Sequence, residues 1–301
     1  MRIALTGGSG NVGRSVALHA LGQSHEVVVL DRTEPADELA ARVTFRQVDM
    51  ADYAGVRDAL AGCDRLVHFA GIPGPDDHEE HDVHNNNVVA SYNALLGAVA
   101  VGIPRIVLAS SVNAIGATWS RAPYFDYFPL DARHPTYNED GYSLSKWIAE
   151  QQADSVVRRY AGLSVVSLRF HTVVTDRAAA VRYAEANGSA WAARGLWGYT
   201  TVPAIASAAL LACKADLSGH HVLWVVAPDT VSDIPSASLA ATYYPDVPLR
   251  RPLPGHQGFF DCTPTRQLLG WDPRAAGPPG TTAVSPAPAP RTDHNEGASR
   301  A

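Results

Sequence analysis

Short apolar runs alternate with amphipathic stretches through the first half of the chain. The runs, which predict buried strands, lie at residues 3–5, 26–31, 43–49, 65–71, 105–111 and 164–169. The amphipathic stretches, which predict helices, lie at residues 12–22, 53–60, 83–101 and 140–160. This alternation predicts an α/β fold with a doubly wound parallel sheet of the Rossmann type and right-handed crossovers.

The second half continues the pattern less regularly. Residues 177–194 and 202–214 predict two helices, residues 220–226 another strand, and residues 236–244 and 265–269 short helices. Beyond Pro273 the chain is rich in Pro, Ala and Gly without any apolar period, which predicts a disordered tail over residues 273–301. The remaining segment, residues 171–272, is long enough for only a small second lobe.

Bulk composition narrows the class of protein. The chain has 301 residues and a formal net charge of −6, which gives no electrostatic reason to expect a nucleic acid or an anionic membrane as partner. No apolar run reaches the roughly 20 residues of a membrane span, and the chain opens on a strand, so we expect a cytoplasmic protein. Its cysteines, Cys63, Cys213 and Cys262, are far apart and predict reduced thiols. The pair His220 and His221 has no third ligand at useful spacing, so no metal is expected.

The opening stretch carries the first chemical signal. Gly7, Gly10 and Gly13 have GxxGxxG spacing between a predicted strand and a predicted helix. Gly7 permits a tight turn, Gly10 lets the backbone approach a pyrophosphate, and Gly13 lets the helix lie against the strand. The N–H groups at the start of the helix then face the phosphates of a dinucleotide.

A carboxylate at the end of the second strand points to the kind of dinucleotide. Asp31 lies 18 residues beyond Gly13, near the separation at which an acid holds the adenosine ribose hydroxyls. It would repel a 2′-phosphate, which favours NAD over NADP. Arg32 keeps NADP open, because its guanidinium could pair with that phosphate. An ordinary turn residue at the strand end is the alternative interpretation of Asp31.

A tyrosine and a lysine on the predicted helix 140–160 carry the second signal. Tyr142 and Lys146 are four residues apart and so share one helix face. An ammonium near a phenol lowers the phenol's pKa, and such a tyrosine can exchange a proton with a substrate oxygen. Ser111 at the end of the fifth strand could hold that oxygen. The pair alone would also suit an ordinary helix surface.

Together these motifs resemble those of the extended short-chain dehydrogenases/reductases, the NAD-dependent epimerase/dehydratase family. The resemblance spans about residues 1–170 and rests on residues 6–13, Asp31, Asp49, residues 68–71, Asn87, residues 110–111 and residues 142–146. It implies a dinucleotide-binding domain over residues 1–170 that carries the catalytic groups, and a substrate lobe over residues 171–272 interleaved with the last strand. It also implies a homodimer that pairs through the helices at 83–101 and 142–160.

The resemblance assigns roles residue by residue. Tyr142 would be the acid/base, Lys146 would contact the nicotinamide ribose, and Ser111, five residues before Gly116, would bind the reacting oxygen in preference to Ser110. The cofactor-binding set would be Gly7, Gly8, Ser9, Gly10, Asn11, Val12, Gly13, Asp31, Arg32, Asp49, Met50, Phe69, Ala70, Gly71, Asn87, Tyr142 and Lys146. Polar packing is the alternative for Asn87.

Departures from the family pattern narrow the reaction. Val112 and Asn113 stand where family dehydratases carry an Asp-Glu pair, which argues against dehydration. Residues 169–175 lack the Arg-Pro and Gly-Pro elements usual in the epimerases, and residues 196–202 lack a charged segment common among relatives, so a nucleotide-sugar pocket is in doubt. Some features loosely resemble the uronate dehydrogenases of the family.

Two features of the substrate side stay open. The long aromatic segment 117–140 could cover the substrate pocket, or its rings could cover core or a subunit contact. His171 at a strand end could face the substrate.

The function favoured by the sequence is an NAD-dependent oxidoreductase that interconverts a secondary alcohol and a carbonyl on a sugar-like or polyhydroxylated molecule. An epimerase that retains its cofactor is the alternative, since it would use the same tyrosine. A non-catalytic NAD-binding regulator is the second alternative.

Overall fold

Seven parallel strands form the central sheet in the computed structural model, which describes residues 1–75 and 78–274. The strand order is β3-β2-β1-β4-β5-β6-β9, as predicted for a doubly wound sheet. Two short strands, β7 and β8, pair separately. The strands are β1 (Arg2–Thr6), β2 (Glu26–Asp31), β3 (Thr44–Gln47), β4 (Arg65–His68), β5 (Arg105–Ser111), β6 (Ser164–Phe170), β7 (Val173–Val174), β8 (Thr200–Thr201) and β9 (Gly219–Val225).

Helices flank both faces of this sheet. They are α1 (Asn11–Gly22), α2 (Asp37–Ala40), α3 (Tyr53–Leu60), α4 (Glu80–Ala100), α5 (Gly141–Arg159), α6 (Arg177–Asn187), α7 (Ser189–Arg194), α8 (Val202–Lys214), α9 (Ser236–Tyr243) and α10 (Thr263–Leu269). Within the described ranges, none of them is long and apolar enough to cross a bilayer. Cys63, Cys213 and Cys262 are free thiols.

One predicted helix is wrong. Residues 177–194 form α6 and α7 rather than a single helix, because Gly188 between them adopts a φ of +83°. That conformation lies far outside the helical range and is cheap only for glycine. The predicted disorder of the tail concerns residues that, apart from Pro273 and Arg274, lie outside the described part of the chain.

The alternation of side chains along the strands divides the core between the two faces. Ile3 and Leu5 of β1 point to the face covered by α1 and α8, where they join one apolar cluster. Ala4 between them points to the opposite face and joins the cluster under α3 and α4. Both faces are therefore dry, as a parallel sheet requires.

Residues 117–140 pack into a third apolar cluster together with side chains from residues 174–260. Phe125, Phe128 and Leu130 are fully or almost fully buried in it. The segment also bonds to a distant part of the chain, because the Leu130 N–H donates to the Phe259 carbonyl at 2.7 Å. Its aromatic side chains are thus mainly core, although Tyr124 remains 60% exposed.

A buried ion pair joins α5 to β6. Arg169 donates to both carboxylate oxygens of Glu150, from Nε at 2.8 Å and from Nη2 at 2.7 Å. Ser110 Oγ donates to the same carboxylate at 2.6 Å, and the guanidinium lies over the Trp224 ring at 4.7 Å. A buried charge is tolerated when its partners are this complete.

Removal of one member of this pair should destabilise the fold strongly. Glu150→Ala leaves the Arg169 guanidinium buried and unpaired, so we expect the free energy of unfolding in urea to fall by about 3–5 kcal/mol. Asp216→Ala is the control, since it breaks a pair whose carboxylate is solvent-exposed and should change little. An unchanged unfolding midpoint for Glu150→Ala would contradict a stabilising role of the pair.

Candidate active site

The carboxyl ends of five neighbouring strands present the predicted site residues in one row. Asp49 follows β3, Asp31 ends β2, Gly7 follows β1, Phe69 follows β4 and Ser111 ends β5. These strands are adjacent in that order, so residues scattered over about a third of the sequence meet along one edge. In open α/β sheets this edge is where ligands bind.

The three glycines of the opening turn differ in what surrounds them. A Cβ on Gly7, which has a φ of +69°, would lie 2.7 Å from the Ala70 nitrogen, and one on Gly13 would lie 2.1 Å from the Gly7 carbonyl oxygen. A Cβ on Gly10 would meet nothing closer than 3.4 Å. Glycine is therefore required by the fold at positions 7 and 13, whereas at position 10 the protein itself leaves room for a side chain.

The start of α1 lies directly at this turn. Gly10 is its N-cap and supplies no side-chain bond to the first N–H groups, which belong to Asn11, Val12 and Gly13. A Cβ on Gly8 would lie 2.8 Å from the Val29 side chain, so this glycine serves the packing of the turn on β2. Together with the open space at Gly10, these N–H groups form a cradle suited to a phosphate.

The Asp31 carboxylate lies beside the same turn. One oxygen accepts from the Ser9 N–H at 3.1 Å, and the other accepts from the Arg32 N–H at 2.7 Å. The Arg32 side chain is exposed. On the adjacent strand end Asp49 is exposed and Met50 is buried, so a ligand on this edge would meet the carboxylate of Asp49 before the thioether of Met50.

A hydroxyl that the sequence analysis did not single out ties β1 to the turn after β4. Thr6 Oγ1 accepts from the N–H groups of Phe69 at 3.1 Å and Ala70 at 3.2 Å, and its own proton goes to His68 Nδ1 at 2.8 Å. Burial lowers the pKa of His68 to about 3, so the ring is a neutral acceptor. This network holds residues 69–71 against the glycine turn.

Asn87 on α4 fixes the same turn from the other side. Its side-chain oxygen accepts from the Ile72 N–H at 2.8 Å, and its amide nitrogen donates to the Ile72 carbonyl at 3.1 Å and to Ser145 Oγ at 3.2 Å. A Cβ on Gly71 would lie 3.0 Å from that amide oxygen. The asparagine therefore positions the turn through bonds within the chain.

Ser111 lies near Tyr142, and its hydroxyl acts to lower the pKa of the phenol. Ser111 Oγ also accepts from Asn113, from the backbone N–H at 3.1 Å and from Nδ2 at 3.3 Å. Because both lone pairs of the serine are used in this way, its proton is left for donation to another oxygen. Ser110 points elsewhere, to Glu150, so only Ser111 is available at this edge.

Lys146 lies one turn along α5 from the phenol. Its ammonium is 5.6 Å from the centroid of the Tyr142 ring and donates to the Ala109 carbonyl at 3.1 Å. Burial lowers the pKa of Lys146 to about 8. A Cβ on Gly71 would lie 4.0 Å from this ammonium, so the lysine stands between the phenol and the turn after β4.

The expected direction of the tyrosine pKa is wrong for the protein without ligands. Burial raises the pKa of Tyr142 to about 12, and the nearby Ser111 hydroxyl acts to lower it. Desolvation of the phenolate therefore sets the direction of the shift, while the Lys146 ammonium is engaged by the Ala109 carbonyl. With this raised pKa the phenol keeps its proton and acts as a proton donor, unless an added positive charge at the site favours the phenolate.

His171 does not face the site as a free group. Its Nε2–H donates to the Gly195 carbonyl at 2.7 Å, and its Nδ1 accepts from the Thr172 N–H at 2.6 Å. Two glycines pack closely against the ring. A Cβ on Gly195 would lie 3.0 Å from it, and a Cβ on Gly198 would lie 2.7 Å from it. Burial lowers the pKa of His171 to about 4, so it is a neutral structural residue.

Sequence comparison places these features in a family. The profile of the "NAD dependent epimerase/dehydratase family" matches residues 3–193, well over half of the chain. The chain belongs to this family.

Curated members of the family give sequence relatives. L-arabinose 1-dehydrogenase (NAD(P)(+)) of Haloferax volcanii is 29% identical over 202 residues, which cover 65% of this chain and 76% of that protein. Uronate dehydrogenase of Pseudomonas putida is 27% identical over 168 residues, which cover 56% of this chain and 59% of that protein.

Solved structures of the family share the fold. The uronate dehydrogenase of Agrobacterium tumefaciens superposes with a TM-score of 0.67 at 22% identity, over 91% of this chain and 84% of that one. MoeE5, solved in complex with UDP-glucose and NAD, superposes with a TM-score of 0.68 at 21% identity, over 92% of this chain and 94% of that one. At this identity the likeness concerns the fold.

The space at Gly10 gives a test of the phosphate cradle. Gly10→Ala should fold with wild-type stability, because its backbone suits alanine and no protein atom is crowded, yet it should weaken NAD binding at least 10-fold by filling the space of a phosphate. Binding is measured by titration calorimetry and stability by thermal unfolding. Gly22→Ala is the control, since a Cβ there meets nothing within 4 Å. If Gly10→Ala bound NAD as tightly as the wild type, the phosphates of NAD would not lie at Gly10, and the cradle would be contradicted.

Proposed function

We propose that the protein is an NAD-dependent oxidoreductase that interconverts a secondary alcohol and a carbonyl on a sugar-like molecule. The observation that carries this proposal is the grouping of Ser111, Tyr142 and Lys146 on the sheet edge that also carries the glycine turn. A proton donor and an oxygen-binding hydroxyl beside a dinucleotide cradle suit hydride-transfer chemistry.

The residues present fit NAD. Gly10 and the N–H groups of Asn11, Val12 and Gly13 would hold the pyrophosphate, and Asp31 would accept the adenosine ribose hydroxyls. The Asp31 carboxylate would repel a 2′-phosphate, which supports NAD over NADP. When bound, NAD supplies the acceptor for a hydride from the substrate carbon.

The protein's own groups would handle the proton. Ser111 would donate a hydrogen bond to the substrate oxygen, and Tyr142 would take the hydroxyl proton in oxidation or return it in reduction. A positive charge near the phenol favours the phenolate, so Lys146 and the nicotinamide charge would oppose the effect of burial. The Lys146 ammonium lies beside residue 71, which we place in the cofactor site, so it would also contact the nicotinamide ribose.

The size of the second lobe favours a small substrate. We keep the division into a dinucleotide domain, residues 1–170, and a substrate lobe, residues 171–272, as part of the proposal. About 100 residues form this lobe, a size that suits a free sugar better than a bulky nucleotide sugar.

We also propose a cytoplasmic homodimer. The outward face of α4 exposes Val89 and Tyr92 by more than two fifths of their surface, next to α5, with which α4 packs. Large apolar side chains exposed next to each other on a helix are typical of a subunit contact. Free thiols and the absence of a spanning helix in the described residues are compatible with the cytoplasm.

NADH formation tests the function. The purified protein is incubated with aldoses, sugar acids and hydroxy-ketones, with NAD and NADP side by side, and NADH absorbance is recorded. We expect turnover with NAD on a free sugar, and a fall in kcat of about 100- to 10,000-fold for Tyr142→Phe, which keeps the ring and removes the proton.

Tyr127→Phe is the matched control, because that tyrosine is also buried but bonds to Asp131 within the segment 117–140. It should keep kcat within a few fold. Sugar isomerisation without net NADH would favour the epimerase. Full activity of Tyr142→Phe would overturn the proposed acid/base.

A further inference from the structure

A buried asparagine beside the reacting serine has no role in the proposed reaction. Asn113 belongs to the short 3-10 turn Val112–Ile115, which follows β5 directly. This residue is 7% exposed, and Ser111 is 6% exposed. Water therefore hardly reaches either side chain, so the bonds between protein atoms decide where their hydrogen atoms point.

Two donors of this one residue point at the serine oxygen. The Asn113 backbone N–H donates to Ser111 Oγ at 3.1 Å, and Asn113 Nδ2 donates to the same oxygen at 3.3 Å. The backbone bond caps the 3-10 turn and would form with most residues at position 113. The side-chain bond, in contrast, requires a residue that carries an N–H group at this distance from its backbone.

A third bond fixes the orientation of the Asn113 amide. Its Oδ1 accepts from the Trp119 N–H at 3.4 Å. Because a backbone N–H can only donate, the amide oxygen must face Trp119 and the amide nitrogen must face Ser111. Trp119 in turn packs edge to face against Trp191 of α7, with the ring centroids 5.1 Å apart. The segment before the catalytic helix thus holds the amide in place.

These bonds determine which hydrogen bonds Ser111 can make with a ligand. A serine hydroxyl has one proton to donate and two lone pairs that accept. Since both lone pairs face donors of Asn113, the serine can donate to a substrate oxygen but cannot accept a proton from it. Of the two groups proposed to contact the reacting oxygen, Tyr142 alone can then take the proton of an alcohol.

We propose that Asn113 is a positioning residue that keeps Ser111 a hydrogen-bond donor and so directs the proton of the substrate hydroxyl to Tyr142. The inference rests on the proposed function, in which Ser111 binds the reacting oxygen and Tyr142 exchanges the proton. Asn113 acts on the substrate only through the serine. A side chain at this position that accepted the serine proton would therefore withdraw the donor from the substrate.

Asn113→Asp reverses the direction of this bond at almost constant shape. A carboxylate oxygen in the place of Nδ2 accepts the Ser111 proton, while the other oxygen can still accept from the Trp119 N–H. We expect kcat to fall about 100-fold, the lower end of the loss caused by removing a donor to a reacting oxygen, with the KM for NAD unchanged. The rate is measured as NADH formation with the aldose that the wild type oxidises fastest.

The Ser111→Ala background tests whether the asparagine acts through the serine. Addition of Asn113→Asp to Ser111→Ala should lower kcat by less than about 2-fold beyond Ser111→Ala alone, because residues that act as a unit are not additive. An effect of the new charge on Tyr142, or of impaired folding, would persist without the serine. Asn113→Ala removes the side-chain donor without adding charge. Its smaller loss should also disappear in the Ser111→Ala background, which keeps the test available should Asn113→Asp fold poorly.

Asn138→Asp is the matched control for the new charge. Asn138 is half-buried, and its Nδ2 donates to the Ala114 carbonyl at 3.3 Å and to Thr136 Oγ1 at 2.6 Å rather than to Ser111. The variant therefore brings a carboxylate to the same 3-10 turn without changing the bonds of the serine. It should keep kcat within a few fold of wild type.

The outcomes are distinct. Wild-type kcat for folded Asn113→Asp and Asn113→Ala, or an equal loss with and without the Ser111 hydroxyl, would overturn the inference and leave the proposed function in place. Full activity of Tyr142→Phe, or no NADH formation by the wild type, would instead remove the proposed function and the inference with it. A loss in Asn113→Asp that disappears in the Ser111→Ala background, and that is absent in Asn138→Asp, supports the inference.

Discussion

The buried pair of Glu150 and Arg169 fixes the rotation of α5, on which the site depends. Tyr142, Lys146 and Glu150 follow one another at intervals of four residues, so they share a face of the helix. Because Glu150 is held by two bonds to β6, that face must point at the sheet. The Tyr142 phenol and the Lys146 ammonium then lie at the end of β5, next to Ser111. A helix turned by even a quarter would carry both groups away from the edge.

The order of the strands supplies the other half of the site. Adjacent strand ends bring Asp31, the glycine turn, residues 69–71 and Ser111 into a row although the chain visits them far apart. The Thr6 hydroxyl and the Asn87 amide lock the turn after β4 between the glycines and α4. The resulting edge is rigid before any ligand arrives, which limits the entropy lost on binding.

Periodicity predicted the sheet, most helices and the glycine turn, because a strand or an amphipathic helix is recorded in local apolar spacing. It failed at residues 177–194, where an alanine-rich pattern gave no sign that Gly188 would adopt a positive φ. The direction of the Tyr142 pKa also failed, since the depth of burial depends on the packing of distant segments. The close packing of residues 195 and 198 against the His171 ring also could not be predicted from the sequence, because these chain segments meet only in the folded protein.

A crystal structure with NAD bound tests the central claim most directly. The account predicts the pyrophosphate at Gly10 and the start of α1, with the nicotinamide beside Tyr142 Oη and Ser111 Oγ and its ribose within hydrogen-bond distance of Lys146 Nζ. A dinucleotide bound elsewhere, or a Tyr142 ring that points away from the nicotinamide in that complex, would contradict it.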